Sequence, residues 1–100
     1  MVWHKFKAKR TVTDGIKFAS RKESIRYGEL KLLMKSGEVI FFLRQVPFDI
    51  GGGTKHFIDF VEFWADGDVR FVEVKGYDTP QGKMKRKIVE GLYPITIEVI

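Results

Sequence analysis

The sequence predicts one α/β domain in which a central mixed β-sheet is flanked by helices. Its 100 residues suffice for a single modest core and not for two. Two segments carry helix-start signals, and between and beyond them lie runs of β-branched and aromatic residues. The tail reads strand, helix, strand, a unit that crosses over right-handedly and pairs its strands in parallel, whereas two runs joined by a short turn pair antiparallel.

Residues 1–10 place Lys5, Lys7, Lys9 and Arg10 among Trp3, Phe6 and Ala8, a basic arm that is either solvated or bound to an anionic partner. From Thr11 to Phe18, Asp14-Gly15 between short runs signals a two-residue hairpin turn. Ser20 caps the first helix, Glu23 follows three residues on as in a capping box, and Gly37 ends the helix after Met34 and Lys35. At about 100° per residue, Tyr27, Leu30 and Met34 form one apolar stripe, and Glu23 falls within it. Ile25 and Leu32 lie nearly opposite, so the helix is expected to be covered twice, by its own sheet and by a partner.

Val39 to Ile50 is an extended aromatic run with an edge or bulge at Pro47. Gly51 to Gly53 reads as a flexible loop, without the Gly-Lys-Ser/Thr ending of a phosphate-cradling loop. Phe57–Trp64 and Val69–Gly76 are strands joined through Ala65-Asp66-Gly67-Asp68. Thr79-Pro80 opens a second helix running to about Leu92, with Met84, Ile88 and Leu92 on its apolar side and Lys83, Lys85, Arg86 and Lys87 on a basic face. After Tyr93-Pro94 comes a last strand, Ile95 to Ile100.

With 18 Lys and Arg against 13 Asp and Glu, the net charge is +5 and the pI about 9.6, which favours an anionic partner, nucleic acid first. The chain has no cysteine, which excludes disulfides and thiolate metal sites, and its two histidines are too few for a histidine zinc site. The N-terminus has charges where a secretory signal needs its apolar stretch, and no segment approaches membrane-spanning length. These features predict a soluble protein of the cytoplasm, with no membrane partner.

The chemistry gathers on the acids. In a strand, residues two apart share a face, so Glu73 and Lys75 project together in "VRFVEVKGY". Asp59 stands near the start of the preceding strand among Phe57, Ile58 and Phe60. A two-residue turn at Asp66-Gly67 sets Asp59 opposite Val74. A three-residue loop, Ala65-Asp66-Gly67 with Gly67 left-handed, pairs Trp64 with Asp68 and therefore Asp59 with Glu73. The second register is the one expected. Two carboxylates so placed repel each other unless a cation lies between them. Oxygen ligands alone point to Mg²⁺, with Mn²⁺ as a substitute, bound by Asp59, Glu73 and the Val74 carbonyl. Lys75 is then the residue that holds a water or neutralises a phosphate, and Glu23 is placed to bind a metal water or a second ion. Each residue also has a plainer reading: Glu23 as a capping-box acid, Glu73 and Lys75 as a solvated ion pair, Asp59 as a strand-start cap. Three acids and a lysine on the apolar sides of three elements are hard to explain as surface decoration.

Asp59 followed across a hairpin by Glu73-Val74-Lys75, with a glutamate on the first helix, resembles the PD-(D/E)XK nuclease superfamily. The segments "DGIKFASRKESIRYGELKLL", "LRQVPF", "IDF" and "VEVKGY" are similar to small phage proteins of that superfamily, which look like archaeal-type Holliday junction resolvases. Ile58 replaces the motif's proline. The resemblance implies a restriction-endonuclease-like fold and Mg²⁺-dependent DNA cleavage by a homodimer at branched DNA, four-way junctions first, in the host-cell cytoplasm if the protein is phage-encoded. It implies metal binding by Asp59 and Glu73, a catalytic Lys75, Glu23 as the helix acid, and Gln45 near the site. The expected DNA-contacting residues are Lys5, Lys7, Lys9, Arg10, Arg21, Lys22, Gln45, Lys83, Lys85, Arg86 and Lys87. Restriction-like or flap cleavage, or nucleic-acid binding without catalysis, are the alternatives.

Overall fold

The computed structural model describes residues 10–100; the expected contacts of Lys5, Lys7 and Lys9 lie outside the described residues. A small hairpin, β1 (Thr11–Thr13) and β2 (Ile16–Phe18), turns at Asp14-Gly15, where φ is 53° and 74°. Positive φ at both positions is what a two-residue primed turn requires. Helix α1 (Arg21–Ser36) starts where the Ser20 hydroxyl accepts from the Glu23 N–H at 3.1 Å. It stops at Gly37, which is left-handed and donates back to the carbonyls of Leu33 and Met34.

Four strands form the main sheet: β3 (Val39–Gly51), β4 (Thr54–Trp64), β5 (Val69–Glu73) and β6 (Ile97–Val99), in the order β3-β4-β5-β6. Helix α2 (Pro80–Leu92) makes the crossover from β5 to β6, which pair in parallel, while the other neighbours are antiparallel. The chain is thus an α/β domain built on a mixed sheet, as expected. Gly51 to Gly53 form a tight turn, all at positive φ, and β4 begins at Thr54, so the expected flexible loop is the tip of a long hairpin. At the other end, Gly67 is left-handed at φ 94° and Trp64 N–H donates to Asp68 O at 2.9 Å. The ladder then runs Phe63 to Val69 through Phe60 to Val72, the register of the three-residue loop. One step further lie Asp59 and Glu73.

Each face of the sheet has its own core. Tyr27 and Leu30 of α1 pack with Phe18, Phe60, Val72 and Val74. On the other face, Val89 of α2 packs with Ile58, Val61 and Ile97. Phe60 and Ile58 are two apart on one strand and should share a face, yet they belong to different cores. The paired strand does the same, with Arg44 stacked over Phe18 and Val46 packed beside Ile58. The rung between them is Gln45 with Asp59, and Gln45 takes φ 50°, a left-handed backbone that a non-glycine residue seldom adopts. Both strands therefore change faces together at the rung that carries the candidate site.

Helix α2 departs from its apolar pattern. Met84 and Leu92 are exposed and Ile88 is half-buried, whereas Arg86 and Val89 are buried. Arg86 is not part of a solvent-facing basic face. Its guanidinium is drawn under the helix because two acids, Asp78 and Glu73, wait there. Among the described residues no helix is long and apolar enough to cross a membrane.

Candidate active site

Two linked groups of side chains meet at the end of β5. The first is centred on Gln45, whose side-chain amide donates to Glu23 Oε2 at 2.9 Å and to Asp59 Oδ1 at 3.0 Å. One neutral NH₂ thus uses its two protons to hold apart two like charges. The Glu23 side chain does not close a capping box; it turns inward from the first turn of α1, where it is buried. Burial, and next the charge of Asp59, raise the Glu23 pKa above the ordinary carboxylate value, and the Gln45 bond and Arg44 offset this in part. Asp59 uses its other oxygen to accept the Val74 N–H at 2.8 Å.

That bond ties the first group to the second. Glu73 is 0% exposed. Lys75 Nζ stands 3.5 Å from Glu73 Oε1, as expected for residues two apart on a strand, although β5 as a regular element ends at Glu73. The motif backbone is held beyond that end: Ile100 N–H donates to Glu73 O at 2.9 Å and Lys75 N–H to Ile100 O at 3.0 Å. His56 Nε2 lies 2.6 Å from Glu73 Oε2. Arg86 Nη1 is 3.7 Å from Glu73 Oε1, and its Nη2 bonds Asp78, a bond that lowers the Asp78 pKa and raises that of Arg86.

The expected residues are therefore brought to one place but not into one shell. Val72 and Val74 face α1, so Glu73 between them faces α2, while Glu23 comes from α1 itself; the two glutamates approach Asp59 from opposite sides. Among the described residues, no group of three or more histidine or carboxylate side chains stands close enough to hold a metal ion. The Val74 group in contact with Asp59 is its N–H, not the expected carbonyl. The donor chemistry nevertheless suits a hard dication. Asp59 and Glu23 are brought together on one amide, and Glu73 Oε1 is buried without a hydrogen-bond partner among the described residues. Asp59 and Glu73, with Glu23 beside them, are the residues that would hold it.

Among the cations, Lys22 Nζ donates to Lys75 O at 3.0 Å, so it braces the motif. Arg10, Arg21, Lys83 and Lys87 are exposed, and Lys85 is half-buried. His56 and Arg44 were not expected at the site. Arg44 lies 3.6 Å from Glu23 Oε2 through Nη2, on the α1 side that it shares by alternation with Phe42. Glu62, a second acid in β4, is equally buried but belongs to a separate network with Arg26 and Trp64.

No curated protein and no solved structure matches the chain. A family model does match, over residues 3–98. On that match, which spans nearly the whole sequence, the chain belongs to the family described as "Protein of unknown function (DUF1064)".

Proposed function

We propose that this chain is a Mg²⁺-dependent, structure-selective DNA endonuclease, a resolvase of four-way junctions acting as a homodimer. The observation that carries the reading is the arrangement around Val74: a lysine ammonium beside a fully buried glutamate, with an aspartate from the paired strand locked onto the intervening backbone N–H. A fold gains little from keeping Asp59 and Glu23 in contact through one amide, whereas a phosphodiester hydrolase needs such a cluster of carboxylates. The resemblance to PD-(D/E)XK nucleases rests on these same residues.

Asp59 and Glu73 would hold a dication, which would supply an activated water at neutral pH and charge neutralisation at the phosphate. Lys75 places a mobile positive charge where negative charge develops on the phosphate oxygens. Gln45 fixes the orientation of Asp59, and His56 fixes that of Glu73. Resolving a junction takes two related cuts, so two copies of the site must act together. Ile25 and Leu32, exposed on the outer face of α1, are the proposed dimer contacts. Arg21, Lys83, Lys85 and Lys87 are proposed to meet backbone phosphates without reading sequence, so affinity falls steeply with salt.

The test is incubation with a synthetic four-way junction, a flap and a plain duplex, each with Mg²⁺ or EDTA. Metal-dependent cutting of the junction above the others is expected. Equal cutting of all three points instead to a restriction-like or flap nuclease, and binding with no cutting of any leaves a non-catalytic nucleic-acid-binding module.

A further inference from the structure

A cleft of about 250 Å³ opens beside the Gln45 group, lined by Arg10, Lys17, Phe18, Glu23, Arg44 and Gln45. Three of these side chains are cations and one is a carboxylate. The carboxylate is already engaged, since Glu23 Oε2 accepts from Gln45.

Arg44 is the centre of the cleft. Its guanidinium lies over the Phe18 ring at 4.4 Å, so one face of the fork is covered and the edge is left to make hydrogen bonds. Among the described residues that edge makes no hydrogen bond and is met only by the Glu23 ion pair. Arg44 Nη2 is 3.6 Å from Glu23, beyond hydrogen-bond length, and its Nε is buried with no partner among the described residues. A buried guanidinium N–H is normally paired. The backbone next to it is also an outlier, the positive φ of Gln45; Arg44 lies on the α1 face, and the strand beyond the outlier crosses to the other. A stacked, half-buried arginine with an unpaired N–H, lining a cleft that also carries two other cations, has the form of a site for a planar or tetrahedral oxyanion.

We infer that this cleft binds a phosphate group of a nucleic-acid backbone, with Arg44 as its principal ligand and Arg10 and Lys17 as its rim. The position of that phosphate, neighbouring the one that is cut, rests on the nuclease reading above. The anion chemistry of the cleft does not.

The test uses the full chain, wild type beside Arg44→Gln and Arg44→Lys, with folding checked by circular dichroism. In EDTA, where no cutting occurs, binding to the four-way junction is measured by fluorescence anisotropy over a range of salt. Arg44→Gln is expected to weaken binding about tenfold or more and to reduce the salt slope by about one, the change for one lost phosphate contact. Arg44→Lys keeps the charge without the fork and should fall between. In parallel, inorganic phosphate is titrated while the Arg44 Nε–H resonance is followed by NMR; a saturable shift, absent from both variants, is expected. Unchanged affinity and salt slope in both variants, with an Nε–H resonance that phosphate leaves in place, overturns the inference even if the wild type cuts junctions. A phosphate-dependent shift in a protein that cuts no DNA supports the cleft as an anion site and sinks the nuclease reading instead.

Discussion

Two glutamates stand on opposite faces of the same sheet, both 0% exposed, and their surroundings differ in kind. Glu62 meets Arg26 edge to edge, with Nε to Oε2 at 3.0 Å and Nη2 to Oε1 at 2.8 Å, and takes a third bond from Trp64 Nε1 at 3.1 Å. One charge meets one charge, and each oxygen is satisfied. Around Glu73 stand a histidine and two cations, yet Lys75 and Arg86 remain 3.5 and 3.7 Å away and Oε1 has no hydrogen-bond partner among the described residues. The first arrangement is closed and holds the fold together. The second is open, and its donors and acceptors can exchange partners.

The largest effect expected from this contrast is at the open site. Lys75→Ala should lower junction cleavage by about 10²–10³-fold, as for loss of one preorganised electrostatic group, while binding in EDTA stays nearly unchanged. Normal cutting by that variant, measured in single-turnover assays, would show that the site is elsewhere. Next comes Glu62→Ala, which leaves the partly buried Arg26 with only Glu29, at 3.2 Å, as a partner and should cost about 2–3 kcal/mol in urea unfolding. Replacing Glu62 and Arg26 together by apolar residues of similar size should recover most of that loss, since a closed ion pair adds little beyond its own desolvation.

A smaller effect should appear in the pH dependence of Glu23. The Glu23 pKa is raised in the folded chain, chiefly by burial and then by Asp59, so the folded state holds that proton more tightly than the unfolded state does. Its favourable contribution is complete below the ordinary carboxylate pKa of about 4.3 and is lost as pH rises through the folded pKa. Glu23→Gln should therefore melt above the wild type at pH 8 and converge with it toward pH 4, as read by thermal unfolding across pH. The opposite trend would mean that Glu23 is held as a stabilised carboxylate. Smallest of all is Arg70→Ala. It breaks a half-buried, two-point pair with Glu98, at 3.0 and 2.7 Å, and the stacking on Trp64, and should cost about 1 kcal/mol.

The elements that could be read from sequence are those fixed by local chemistry. Ser20 and Gly37 bound α1, Thr79-Pro80 opens α2, and the left-handed Gly67 sets the hairpin register that brings Asp59 one rung from Val72. What escaped depends on partners distant in the chain. Met84, Ile88 and Leu92 repeat as a buried stripe should, but the helix turns Arg86 inward because Asp78 and Glu73 supply the charge that burial of a guanidinium requires. His56 reaches Glu73 only because β4 starts at Thr54 and then changes faces at Asp59, and alternation alone carries no sign of that. The Glu62 pair did leave a trace: Arg26 stands four residues before Leu30, on the flank of the buried stripe of α1, where a cation needs an acid opposite.

The left-handed backbone at Gln45 has one more effect, on what the sheet excludes. Strand β3 is an edge strand of 13 residues, and a straight edge of that length is a template for another chain to add to. Its outer row of hydrogen-bonding groups is broken three times: at the irregularity between Val39 and Phe41, at Gln45, and at Pro47, which has no N–H to offer. No run between these breaks exceeds the stretch Phe41–Arg44 until the strand reaches its hairpin tip. The residue that links two carboxylates therefore also interrupts a long, aromatic strand edge and shortens the template it offers another chain.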